Sequence, residues 1–211
     1  MNFLDQQLNE YINQHTTAET QVLKELVRRS SDELEHTDML SGRQVGQLLK
    51  LLARIGGYKR ILELGTFTGY SAIWMADALP GDGELITLEM NEHYKTISDE
   101  FLSRPPYKQK IRQVMGPALE TMDNLTGSFD MIFIDADKLQ YPDYFKKLKP
   151  KLRSVGLFAI DNVLWGGTVL APDDPKSRAV DQLNRMIHHD DDFENIILPV
   201  RDGIMIAVRI K

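Results

Sequence analysis

The feature that most constrains the fold is an alternation. Short apolar runs, "RILEL" (60–64), "ELITLE" (84–89), "KIRQVM" (110–115), "FDMIFID" (129–135) and "GLFAID" (156–161), are separated by stretches with helical spacing. A strand buried on both faces reads as a near-continuous apolar run, and strands that alternate with helices indicate a parallel, doubly wound α/β sheet with right-handed crossovers. The tail departs from that pattern. "NIILPV", the turn "RDG" and "IMIAVRI" read as a β-hairpin closed by Asp202-Gly203. Upstream, "RQVGQLLKLLARI" places Val45, Leu48, Leu49, Leu52 and Ile55 on one helical face, and "GGY" stops the helix; the spaced apolar positions between Asp5 and Leu34 predict one or two further helices.

At 211 residues the chain suits one α/β domain with a continuous core, here read as residues 1–211 with a helical N-terminal segment, 1–37. The Pro/Gly clusters "PGDG", "RPPY" and "APDDP" are short enough to be loops. A net charge of −6, from 31 acidic against 25 basic residues, with no basic run, weighs against a polyanionic partner or a membrane surface. There is no cysteine, hence neither disulfide nor thiolate chemistry, and the first residues lack the basic-then-apolar pattern of a secretory signal. The expected setting is the cytoplasm, without a membrane span.

Ligands of open α/β sheets bind outside the carboxyl ends of the strands. The first such end reads Glu63-Leu64-Gly65-Thr66-Phe67-Thr68-Gly69-Tyr70-Ser71. A dinucleotide fingerprint, G-x-G-x-x-G, brings backbone amides to a pyrophosphate; here Phe67 stands where the second glycine belongs, and no Gly-Lys-Ser/Thr follows to make a P-loop. Glu63 would repel a phosphate but attract an ammonium. Glu89 ends the second strand, 24 residues past Gly65, where an acidic side chain accepts ribose hydroxyls. An adenosine with a cationic tail and no phosphate, S-adenosylmethionine, meets both conditions. The plain alternative is that Gly65 and Gly69 only close the turn and that Glu63 and Glu89 are solvated.

The later strand ends carry Asp135 with Asp137 and Lys138, then Asp161 with Asn162. Such oxygen donors suit a hard divalent cation, Mg2+ first, with Mn2+ or Ca2+ as alternatives. Lys138 is either a base activated beside that cation or a simple partner of Asp135 or Asp137. His188-His189 reads as a solvated helix end rather than a zinc site.

"ILELGTFTGYSAIWMADALP", "GELITLE", "GPALETM", "FDMIFIDADKLQYPDYF", "GLFAIDNVLWGGTV" and "LPVRDGIMIA", in this order, resemble the cation-dependent O-methyltransferases of the caffeoyl-coenzyme A and catechol type, from about Asp38 onward. The resemblance implies a Rossmann-like sheet of seven strands whose final hairpin supplies the antiparallel one, and commonly a homodimer. It implies metal binding by Asp135, Asp161 and Asn162, with Lys138 as the base. Contacts to the methionine part of the cofactor would come from Glu63, Gly65 and Ser71, ribose recognition from Glu89, and adenine contact from Ala118. Asp135 would face the cofactor's amino group, and Met39 and Ser41 would lie in the segment closing over it. Trp165, Tyr141 and Tyr144 are candidates for an aromatic wall, and Arg178, Arg201 and Lys176 for an acidic substrate tail. The leading reading is methyl transfer to a catechol-like phenol. A tRNA 5-hydroxyuridine methyltransferase on the same fold is the main rival; a non-catalytic cofactor-binding protein and a nicotinamide dehydrogenase are weaker ones.

Overall fold

The structure, a computed structural model, describes residues 5–35 and 37–211; residues 1–4 and His36, which belong to the expected N-terminal segment, lie outside the described residues. In chain order the elements are α1 (Gln6–His15), α2 (Gln21–Glu33), α3 (Gly42–Ile55), β1 (Arg60–Leu64), α4 (Tyr70–Ala76), β2 (Glu84–Glu89), α5 (Lys95–Leu102), β3 (Ile111–Met115), α6 (Ala118–Thr121), β4 (Phe129–Ile134), α7 (Tyr141–Leu148), β5 (Leu152–Asp161), α8 (Pro175–His188), β6 (Phe193–Leu198) and β7 (Ile204–Arg209). Among the described residues seven strands share one sheet, in the order β3-β2-β1-β4-β5-β7-β6. The pairs β2–β3, β1–β4 and β4–β5 are parallel; β7 runs antiparallel to both β5 and β6. The doubly wound sheet with a closing hairpin is therefore present, and no described helix is long and apolar enough to cross a membrane.

The chain gathers into two compact units. One holds β1 with α6, β4, α7, β5, α8, β6 and β7. β1, β4 and the second half of β5 are apolar on both faces, as the continuous runs predict: Ile61, Leu62, Leu64, Met131, Ile132, Phe133, Ile134 and Phe158 are all solvent-free. Phe145, Phe158 and Phe193 cluster with ring centroids 5.4–5.8 Å apart, joining α7 to the hairpin side of the sheet. β5 begins four residues earlier than its apolar run suggests. Arg153, Ser154 and Val155 bulge out between the Phe129–Leu152 and Met131–Leu157 pairs, with Val155 exposed at φ +59°.

The other unit, residues 5–59 and 66–117, holds α1 to α5 with β2 and β3. The buried stripe of α3 is Val45, Gly46, Leu49 and Ala53, while Ile55 is 82% exposed. The face is rotated from the one the leucines suggest because Gly46 admits the Trp74 ring of α4: a Cβ on Gly46 would lie 2.2 Å from Trp74 Cδ1. β3 is followed by only one α-helical turn, α6, and a 3-10 turn at Met122–Asn124, not a full crossover helix.

Candidate active site

The switch point of the winding lies between β1 and β4, whose neighbouring carboxyl ends carry Gly65 and Asp135. Asp135 N–H donates to Leu64 O over 2.9 Å, which brings the two backbones close together. Gly65 has φ +94°, and a Cβ there would lie 2.1 Å from Asp135 O. Glycine is required at this position by conformation and by space. Glu63, on β1, is fully buried rather than solvated.

In the second unit the loop continues through Phe67 at φ +50° and Gly69 at φ +94° into α4. Phe67 N–H donates to Glu89 Oε2 (2.8 Å), and Thr66 Oγ1 and Thr87 Oγ1 are 2.6 Å apart. Glu89 Oε1 takes the N–H groups of Met90 (2.9 Å) and Asn91 (2.8 Å), so this carboxylate is a structural anchor for two turns. Ser71 is buried in the first turn of α4, and Ser41 is buried at the entry to α3. Met39, half exposed, places its sulfur 4.0 Å from the Tyr94 hydroxyl, and Tyr94 meets the Phe67 ring edge-on.

In the first unit, Lys138 Nζ lies 2.7 Å from Asp135 Oδ1, with the two side chains 12% and 17% exposed. Asp161, the last residue of β5, is buried, and its Oδ1 accepts the Asn162 N–H over 2.8 Å. Asn162 stands at φ +59°, a conformation that asparagine tolerates better than most residues. Burial first, and then the charge of Asp135, push the Asp161 carboxyl up to about 7, against the opposing pull of the Asn162 N–H, Lys138 and Arg201. Burial pulls the Lys138 ammonium down, but neighbouring Tyr141 and Asp135 outweigh it and hold the group above the usual lysine range. The pairing of Lys138 with Asp135 is thus formed, and in this state Lys138 is a cation rather than a base.

Ala118 opens α6, half-buried. Tyr141 and Tyr144 do not form an aromatic wall. Both are buried, and the Tyr141 hydroxyl donates to Asp161 O over 3.0 Å while its ring lies 5.2 Å from Lys138 Nζ. Trp165, half-buried, faces the same ammonium at 5.9 Å. Lys176 and Arg178 are exposed on α8, and Arg178 donates to Asp173 O. His188 and His189 are exposed at the end of α8, as expected. Further ties on the turn after β5 went unread in the sequence: Asn184 Nδ2 donates to Val163 O (2.8 Å), and Asp202 Oδ1 accepts Gly166 N–H (2.7 Å). Both partners are distant in the chain, and neither residue type marks such a role.

Among the described residues no three His, Cys, Asp or Glu side chains gather as a metal centre. The candidate donors are two carboxylates and one amide, a set that suits a hard cation. Raised first by burial and then by the charge of Asp135, the Asp161 carboxyl marks a place where added positive charge is favoured.

A doubly wound sheet with a Gly-x-Phe-x-Gly loop after β1, an acidic end to β2 and carboxylates at the carboxyl ends of β4 and β5 belongs to the α/β class of proteins, whose ligands bind at the strand ends. The family follows from comparison: residues 13–210 match the O-methyltransferase family model, and the chain belongs to that family. It is an O-methyltransferase. Caffeoyl-CoA O-methyltransferase 1 of Zea mays is 35% identical over 187 residues, covering 82% of this chain and 72% of the relative. The O-methyltransferase TomG of Streptomyces achromogenes, involved in tomaymycin synthesis and solved with S-adenosylmethionine, superposes with a TM-score of 0.88 at 31% identity, over 97% of this chain and 96% of its own. An O-methyltransferase of Bacillus cereus, solved with S-adenosylhomocysteine, gives 0.86 at 27%, over 96% and 97%.

Proposed function

We propose that the chain transfers a methyl group from S-adenosylmethionine to one hydroxyl of a catechol-like phenol with the help of a divalent cation. The observation that carries this reading is the pairing of half-buried Asp135 with buried Asp161 at the ends of β4 and β5, with Lys138 2.7 Å from Asp135. The kinship with caffeoyl-CoA O-methyltransferases favours a phenolic small molecule over RNA, as does the net charge of −6. Glu63, Gly65, Ser71, Glu89, Ala118, Asp135, Met39 and Ser41 are proposed to hold the cofactor. Glu89, already fixed by three amide donors, would meet the ribose in a set orientation, which limits the ordering cost of binding.

Asp135, Asp161 and Asn162 would hold the cation. When bound, the cation supplies charge that lowers the pKa of a phenolic hydroxyl, and the sulfonium supplies an electrophilic methyl. Tyr141 holds the end of β5 through Asp161 O, and Asn162 N–H orients the Asp161 carboxylate. With Asp135 engaged elsewhere, Lys138 would lose its counter-charge and release its extra proton to solvent, and the neutral amine could then accept the hydroxyl proton at Nζ. Trp165, the aromatic side chain near Lys138 that keeps some exposure, is placed to pack against a planar ring. The chain would act as one cytoplasmic methyltransferase module, with the N-terminal helices serving substrate selection and a homodimer to be checked by light scattering.

The test incubates purified protein with S-adenosylmethionine and a panel of catechols and caffeoyl esters, with Mg2+ or EDTA, and follows S-adenosylhomocysteine by mass spectrometry. Turnover that needs both the metal and adjacent hydroxyls is expected. Absence of turnover on every phenol, together with methylation of 5-hydroxyuridine in tRNA, would replace the substrate.

A further inference from the structure

The loop from Gly65 to Ser71 alternates left-handed residues at 65, 67 and 69, one of them a phenylalanine. The two glycines adopt that conformation freely, whereas Phe67 keeps it only where its surroundings over-determine it. Two supports come from β2: Glu89 on Phe67 N–H, and Thr87 on Thr66. Two more come from the N-terminal segment. Ser30 on α2, fully buried, bonds the Leu26 carbonyl (2.8 Å) and is hydrogen bonded to Thr68 Oγ1 (3.2 Å), which is equally buried. Tyr70, buried at the start of α4, donates its hydroxyl to Glu19 Oε1 at 2.6 Å.

The helix that carries Ser30 is itself tied down. Leu23 and Leu26 are solvent-free, Arg104 joins Glu25 (2.7 Å), and Arg29 joins Glu100 of α5 (3.2 Å). Helix α2 therefore packs on its own chain; through Ser30 it grips the loop at Thr68, and Glu19, just before the helix, grips it at Tyr70.

We propose that Ser30 and Glu19 are positioning residues for the cofactor: α2 and the segment before it form a strap that holds the Gly65–Ser71 loop in its binding-competent shape. The proposal rests on the reading of that loop as the S-adenosylmethionine site. Without the strap Thr68 and Tyr70 lose their outer partners, the loop samples more conformations, and each binding event must reorder it.

The experiment measures S-adenosylhomocysteine binding by titration calorimetry, and hydrogen exchange of the 65–71 amides in the ligand-free full-length protein. Ser30→Ala keeps a good helix former and is expected to weaken binding roughly 3- to 10-fold, the factor one net hydrogen bond supports. Glu19→Ala behaves alike, and Glu19→Gln, which keeps an acceptor for Tyr70, restores binding. The control is Ser31→Ala, which removes the same kind of bond, to Val27 O, on the exposed face of the same helix and leaves affinity unchanged. Faster exchange at 65–71 in Ser30→Ala and not in Ser31→Ala supports the strap. If wild type binds and both Ser30→Ala and Glu19→Ala match it, the strap is overturned while the cofactor reading stands. If wild type binds no S-adenosylhomocysteine, the cofactor reading falls and takes the strap with it.

Discussion

Gly65→Ala separates conformational strain from lack of space. The substituted Cβ would lie 2.1 Å from Asp135 O and 2.9 Å from its carbonyl carbon, where ordinary contact begins at 3.4 Å. Both partners are backbone, so no rotamer relieves the clash, and the ends of β1 and β4 must part by more than 1 Å. That movement breaks the 2.9 Å bond from Asp135 N–H to Leu64 O. An L-residue held at left-handed φ costs about 1–2 kcal/mol, the buried bond about 1–3, and the forced repacking about 1–3; roughly 3–6 kcal/mol results once their overlap is allowed for. For a chain of this length that is a Tm lower by about 10–20 °C by calorimetry. Gly57→Ala supplies the reference, because Gly57 also has positive φ (+60°) but nothing within 4 Å of its Cβ. It should cost only the strain, about 1–2 kcal/mol. Equal losses for the two variants would show that the close approach of Gly65 to Asp135 does not govern this position.

Gly46→Ala gains about 1 kcal/mol of helix propensity but drives a methyl to 2.2 Å from the solvent-free Trp74 ring; a net loss of about 1–2 kcal/mol in urea unfolding is expected, and a stabilised variant would contradict the packing. Lys138→Met should lower kcat at least about 100-fold, the usual share of a general base, while S-adenosylhomocysteine binds within twofold by calorimetry; unchanged kcat would leave Lys138 as a mere partner of Asp135. Glu89→Ala removes the acceptor of three backbone N–H groups and should cost about 2–4 kcal/mol of stability together with cofactor binding; Glu89→Gln keeps the acceptors in part and should recover more than half of the stability loss, measured by chemical denaturation. Tyr141→Phe leaves the buried Asp161 carbonyl without its donor and should lower stability by about 1–3 kcal/mol and weaken the Mg2+-induced rise in Tm; an unaltered metal response would remove Tyr141 from the site's support.

What the sequence made legible was local. β1, β2 and β4 were readable because burial on both faces writes a continuous apolar run, and all three lie within a residue of their runs. The site was readable because chemistry at strand ends is carried by side chains adjacent to those runs: Gly65, Glu89, Asp135 and Asp161 all sit within one residue of a strand's carboxyl end or on it. Spacing could not reach what depends on a second segment. The face of α3 turned because a tryptophan 28 positions later fills the space beside Gly46, and Tyr141 proved to be a buried tie to Asp161 O rather than a surface for substrate.

Dependence on a distant segment also made the N-terminal segment the least legible part, and it is what ties that segment to the loop. Ser30 and Thr68 are 38 positions apart, and neither a serine in an amphipathic helix nor a threonine in a Gly-x-Phe-x-Gly loop announces a partner. The loop nevertheless does not hold its shape by itself: Phe67 at positive φ is strained, Gly65 and Gly69 lose much conformational freedom on ordering, and local hydrogen bonds such as Gly69 N–H to Thr66 O recover only part of that cost. The remainder has to come from contacts outside the loop. Glu89 and Thr87 supply it from the sheet, and Ser30 and Glu19 from the N-terminal segment. Changes in that segment can therefore tune cofactor affinity without altering a residue that touches the cofactor.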